Sequence, residues 1–328
     1  MKTALKISLV VAVISIISCK KEESAPSVQN PTTNTDTYSS LSDFYSKNGV
    51  PKQTFTINAS VGGSFITPQS TTVNIPANAF VNAANVPVTG TVAIEFKDIY
   101  TKSDMLLSDM GTQQPFSGPL ESAGEFFIKA IANNIAVQID TAKKIVINQP
   151  VMAGAVANPS MAAFVEVPDS ANHPEWWPAP VIQAAVAVST VALAANQYVF
   201  SLYSFSMPTS SGSWCNSDNS SFFAGYPKTN LTIHANFATA PYGFNLDVFL
   251  IFKNINSMVH VYNNYGTDDF PYYYAPLGLQ CTVVTVGTKD GKLYSSFAPI
   301  TISASQTVNF NVTETTTEAF KTALKALN

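Results

Sequence analysis

The chain of 328 residues sets 17 basic side chains against 21 acidic ones, and every basic one is a lysine. Without arginine it lacks the planar fork that clamps phosphate or reads guanine in two places, and its acidic balance repels a polyanion, which argues against nucleic-acid binding and phosphoryl transfer. Charged residues are only 12% of the chain while Ala, Val, Thr, Ser, Asn and aromatics abound, which suits an exported β protein with uncharged polar surfaces.

Lys2 and Lys6 precede an unbroken apolar or small stretch that ends at Ser18 and Cys19. That is the order of a secretory signal peptide (1–18), and its core is too short for a bilayer span of about 20 residues. Ile16-Ile17-Ser18-Cys19 resembles the lipobox of bacterial lipoproteins, which implies cleavage before Cys19 and acylation of its thiol, palmitate included. An uncleaved membrane anchor is the other reading. Lys20-Lys21-Glu22-Glu23 resembles the lipoprotein export signal of Bacteroidetes-type bacteria, which implies the exposed face of the outer membrane. The first partner is then the membrane, through the lipid anchor. Residues 19–38 hold almost no apolar side chains and read as a disordered tether.

A serine or aspartate cap, apolar residues three apart and the stop Gly49-Val50-Pro51 predict a short helix over 39–48. Strand patterns follow over 53–61, 72–80, 88–96, 120–130, 144–150 and 198–206, separated by Gly, Pro and Asn turns. Two prolines around Trp176-Trp177 confine that stretch to an edge or a loop. This order predicts a larger antiparallel β-sandwich over 39–207. The Gly62-Gly63 pair, the Ile75-Pro76-Ala77-Asn78-Ala79-Phe80 turn and Gly124-Glu125-Phe126 resemble the zona occludens and netrin receptor domain, whose members mostly scaffold and bind other proteins.

After a Ser, Gly and Asn junction over 208–224, strands are predicted over 229–237, 245–252, 257–262, 279–286 and 306–312, with a hairpin at Asp290-Gly291. They make a smaller sandwich over 225–328, immunoglobulin-like or prealbumin-like; the prealbumin resemblance rests on Pro276-Leu277-Gly278 and that hairpin. Phe320, Leu324 and Leu327 share one face of a C-terminal helix. The expected class is all-β: two antiparallel β-sandwich domains and a short C-terminal helix.

Few residues speak of chemistry. His173, His234 and His260 include no pair at a metal-binding spacing, and neither a metal nor a cofactor is expected. Cys215 and Cys281 form either a disulfide, as the exported location permits, or two separate buried thiols. Trp176, Trp177 and Trp214, with Tyr272-Tyr273-Tyr274, form either a platform for sugar rings or parts of the core. Ser204-Phe205-Ser206 resembles the self-cleavage site of some netrin-receptor relatives, with His173 as the activating base. The acids Glu121, Glu125, Asp268 and Asp269 show no spacing that selects a hydrolytic pair, and the clusters Asn216–Asn219 and Asp268-Asp269 read as solvated turns rather than calcium loops. Asp140-Thr141-Ala142 and Asp169-Ser170-Ala171 resemble the O-glycosylation motif of Bacteroidetes exported proteins. The expected function is a non-enzymatic binding or scaffolding module for carbohydrate or another surface protein; the alternative is an enzyme, either self-cleaving at Phe205-Ser206 or a glycan hydrolase.

Overall fold

Alternation decides the first half of the fold. In the strand Thr91–Ile99, Val92, Ile94 and Phe96 are buried while the residues between them are not, and Phe126, Ile128 and Ala130 repeat the pattern in Glu121–Ala132. The computed structural model describes residues 36–153, 155–171, 173–181, 183–188, 197–205, 211–235, 245–263 and 267–328; Cys19, the charged run after it, Ser206 and residues 208–210 lie outside these. One sheet runs in the order Gln53–Asn58, Thr91–Ile99, Glu121–Ala132, Ser213–Asn219, Ala162–Glu166, Trp176–Pro178, with Ile135–Ala136 paired at its side. A second runs Ala184–Val188, Gln197–Leu202, Ile145–Pro150, Thr72–Ile75, Gly63–Ile66. One apolar cluster joins Ile94, Phe96, Phe126 and Cys215 of the first to Val73, Ile147 and Phe200 of the second, making a sandwich. Gly124 lies inside it at φ +131°, where a Cβ would come within 2.3 Å of the Tyr100 ring, so only glycine lets these two segments approach.

The second half departs from alternation for a physical reason. Val248-Phe249-Leu250-Ile251-Phe252 is apolar without a break, and all five residues are buried. Its sheet, ordered Met258–Val261, Asn245–Phe252, Gln280–Lys289, Lys292–Thr301, Thr313–Thr315, is covered on both faces. Val248, Leu250 and Phe252 pack with Leu231, Ile233 and Phe310 of the three-stranded sheet Asp269–Pro276, Lys228–Ala235, Gln306–Phe310. Phe249 and Ile251 pack instead with α1 (Leu41–Asn48), α2 (Lys102–Leu107), α3 (Thr317–Lys325) and Trp176. That cluster draws on both sides of residues 208–224, and the described residues fall in one compact unit. The fold is an all-β sandwich type, as expected, with one parallel pair among the described strands, Lys228–Ala235 beside Gln306–Phe310.

The end signals of α1 and α3 act as their residue types require. Ser40 accepts from Asp43 N at 3.1 Å to open α1, and Thr316 accepts from Ala319 N at 3.1 Å to open α3. The Asp290-Gly291 turn joins Gln280–Lys289 to Lys292–Thr301 with φ of 50° and 78° at its two central residues. Helix α2 has no counterpart among the sequence expectations, because six residues between strands are too few for a helical period to show.

Candidate functional site

A cavity of about 240 Å³ opens where the second half's five-stranded sheet meets the end of α2, lined among others by Asp109, His173, Asp247, His260, Tyr262 and Phe270. Each ligand-type side chain is set by a local rule. His260 lies on Met258–Val261 opposite Phe249 of Asn245–Phe252, so strand alternation aims it and Tyr262 to one side. Asp247 sits two residues before Phe249 on the same strand. Asp109 follows α2 in the left-handed region, φ 54°, a conformation that aspartate tolerates at a helix end. Gln113 fixes the backbone of His260 from both sides, accepting from its N–H at 2.8 Å and donating to its carbonyl at 3.1 Å.

The imidazole stands between two carboxylates. Its Nδ1 is 2.9 Å from Asp109 Oδ1 and its Nε2 is 3.4 Å from Asp247 Oδ1. The Nδ1 and Oδ1 atoms of the closer pair are both buried, and neither makes a hydrogen bond elsewhere. Asp247 Oδ2 accepts from the Tyr45 hydroxyl at 2.6 Å. Rings follow one another from the surface inward: His173 stacks on Tyr262 at 3.6 Å, Tyr262 is tilted against His260 at 4.2 Å, and His260 is tilted against Phe249 at 4.4 Å. Burial pulls the His260 imidazolium down, and Asp109 and Asp247 more than reverse this, raising it to about 9. Burial works upward on Asp247, but His260 and the Tyr45 hydroxyl hold it below the ordinary carboxylate value. Burial and the same carboxylates push the Tyr45 and Tyr262 phenols up. One ligand atom each from Asp109, Asp247 and His260 falls within 4.8 Å of the others.

A larger groove, about 1070 Å³, lies between α2, the C-terminal residues and the strands around Phe252 and Cys281. Asn254, Asn256, Gln280 and Thr282 offer it amides and a hydroxyl over apolar Ile251 and Pro299. Lys102 also lines it, nearly fully buried, its Nζ donating to the Phe252 carbonyl at 2.9 Å.

The residues singled out from sequence are dispersed. Trp176 is fully buried and donates its indole N–H to the Gly111 carbonyl at 2.6 Å, so it belongs to the core and not to a binding platform. Trp177 points the other way along the edge strand and is 42% exposed. Trp214 packs on Phe127 with Lys97 over its ring. Tyr273 is exposed, whereas the Tyr272 hydroxyl is buried, so the aromatics assemble no common surface. The disulfide reading is corrected as well: Cys215 and Cys281 are free, buried, and packed in different apolar clusters. Burial raises the Cys215 thiol strongly and the Cys281 thiol to about 12. Neither is therefore expected to react with a thiol reagent in the native protein, while both react in denaturant without reductant; loss of reactivity in denaturant would mean a bridge.

Glu125 is fully enclosed, Glu121 accepts from Asn158 and Asn219, and Asp269 accepts from His234 at 2.7 Å or pairs with it, so these acids do not face one another across a cleft. Asn216 and Asp218 are wholly buried in the strand Ser213–Asn219, as are Cys215 and Ser217 on its other face, and so form no solvated turn. His173 Nδ1 is 3.0 Å from Asp169 Oδ2, and its ring lies on Tyr262. Sequence spacing missed Asp109, Asp247 and His260 altogether. The available signal was a single polar residue inside each of two apolar strands, Asp247 before Val248-Phe249 and His260 between Val259 and Val261. No family model matches the chain, and no curated protein matches it as a relative.

Proposed function

We infer that this chain is a lipid-anchored protein of the outer-membrane surface, its β body a non-enzymatic binding or scaffolding module for carbohydrate or another protein. The groove carries this reading. It is large enough for a short glycan or peptide, and its described lining joins neutral donors and acceptors, two lysines and an apolar floor. Hydrolysis of a glycan uses two facing carboxylic acids, and the groove's described lining contains none. The lipobox-like Ile16-Ile17-Ser18-Cys19, the Lys-Lys-Glu-Glu flank and the resemblance to the zona occludens and netrin receptor domain support location and scaffolding respectively. No helix among the described residues is long and apolar enough to cross a membrane; attachment is assigned to Cys19 on its lipobox-like sequence.

A glycan array probed with the purified protein, together with crosslinking to neighbouring surface proteins on intact cells, is expected to return one ligand class. Replacing Lys253 and Gln280, both at the exposed rim, by alanine is expected to weaken that binding at least tenfold. Silence in both assays, or binding indifferent to the rim, removes the reading. Cys19→Ala separately tests the anchor by moving the protein from the membrane to the soluble fraction.

A further inference from the structure

We propose that Asp109, Asp247 and His260 form a binding site for one divalent transition-metal ion of the zinc class, open to solvent through the cavity beside them. Three residues from distant positions bring one donor atom each within 4.8 Å of the others. The decisive contact is that of His260 Nδ1 with Asp109 Oδ1. The two atoms stand 2.9 Å apart as an ion pair, and neither makes a hydrogen bond elsewhere. Donor atoms that sit about 2.0–2.2 Å from one ion are about 3 Å from each other, so this spacing is that of adjacent ligands. Outside this pair neither atom has a partner, so an ion held between them would use donor capacity that no other group in the fold takes up.

The surroundings hold these donors in place. Tyr45 occupies Asp247 Oδ2 and leaves Oδ1 toward His260. Gln113 pins the His260 backbone, and Phe249 and Tyr262 pack on its ring. Such supporting contacts orient ligands at metal sites. An imidazole in the set favours zinc and its transition-metal neighbours copper, nickel and cobalt over calcium and magnesium, which prefer oxygen alone. Charge agrees: two carboxylates and an imidazolium leave one net negative charge, and a divalent ion that displaces the His260 proton to solvent brings the site to neutrality. Three protein donors and a cavity of about 240 Å³ leave room for water or an exchangeable ligand at a further position.

The test uses the full chain, purified in detergent, stripped with chelator and titrated with zinc chloride by calorimetry. One equivalent is expected to bind, to raise the melting temperature and to release a proton, the last read as a heat that varies with the buffer's ionisation enthalpy. Asp109→Asn, on a turn near the surface, and Asp247→Asn should each weaken binding at least tenfold. Circular dichroism of each variant confirms that it is folded. Cobalt should give visible absorption bands that zinc abolishes. No binding by the unaltered chain, equal binding by both folded variants, or calcium bound in preference to zinc overturns the proposal.

Discussion

Trp176→Ala is expected to lower the free energy of unfolding by about 3–5 kcal/mol, the range for removing a large buried aromatic. Its ring is fully enclosed in the cluster where α1, α2 and α3, Phe164 and the face of Phe249 and Ile251 converge, so truncation leaves a void bounded by several elements that cannot all collapse into it. The indole also carries a bond to the Gly111 carbonyl at 2.6 Å. Trp176→Phe separates the two effects: it keeps most of the packing and loses the donor, at a cost of about 1–3 kcal/mol. The neighbouring Trp177→Ala should change stability by no more than about 0.5 kcal/mol, since much of its ring already faces water. Urea unfolding followed by far-ultraviolet circular dichroism measures all three. Comparable small losses for both alanine variants would show that Trp176 does not hold the central cluster together.

The contrast between those adjacent tryptophans also marks what sequence could and could not reveal. Prolines at 174 and 178 correctly confined the segment to a sheet edge, because proline cannot donate to a ladder. Which tryptophan faced inward depended on the register of Trp176–Pro178 against Ala162–Glu166, and no local rule supplies that. Strands such as Thr91–Ile99 were legible from their alternation, α3 from its spacing of Phe320 and Leu324, and the hairpin from Asp290-Gly291. The site at His260 was not legible. His260 is paired to a carboxylate 151 positions earlier, at the end of a helix too short to be foreseen. Motif reasoning looks for donors a few residues apart, whereas this group is assembled by a sheet register and a chain crossing.

Glu125→Gln should stabilise the protein at alkaline pH and do little near pH 4. Glu125 is fully buried, and neither carboxyl oxygen has a hydrogen-bond partner; Asp218 is in the same state. Burial pushes both carboxyls well above their ordinary values of 4.5 and 3.8, and the neighbouring Asp218 charge pushes Glu125 further. The folded protein therefore keeps protons that the unfolded chain gives up. Stability declines as pH rises above the unfolded values, and the decline continues until the folded values are passed. Glutamine has no proton to lose, so its variant escapes that slope, with an advantage of about 1–2 kcal/mol at pH 8 that disappears toward pH 4. Asp218→Asn should behave alike, and the double variant should gain less than the two single gains combined, because removing either charge already relieves the other. Urea midpoints at pH 4, 6 and 8 decide the matter. A variant whose advantage is constant across that range, or greatest at pH 4, would mean that Glu125 is ionised and partnered in the fold, and the buried pair would have to be read as a charged element of the sandwich.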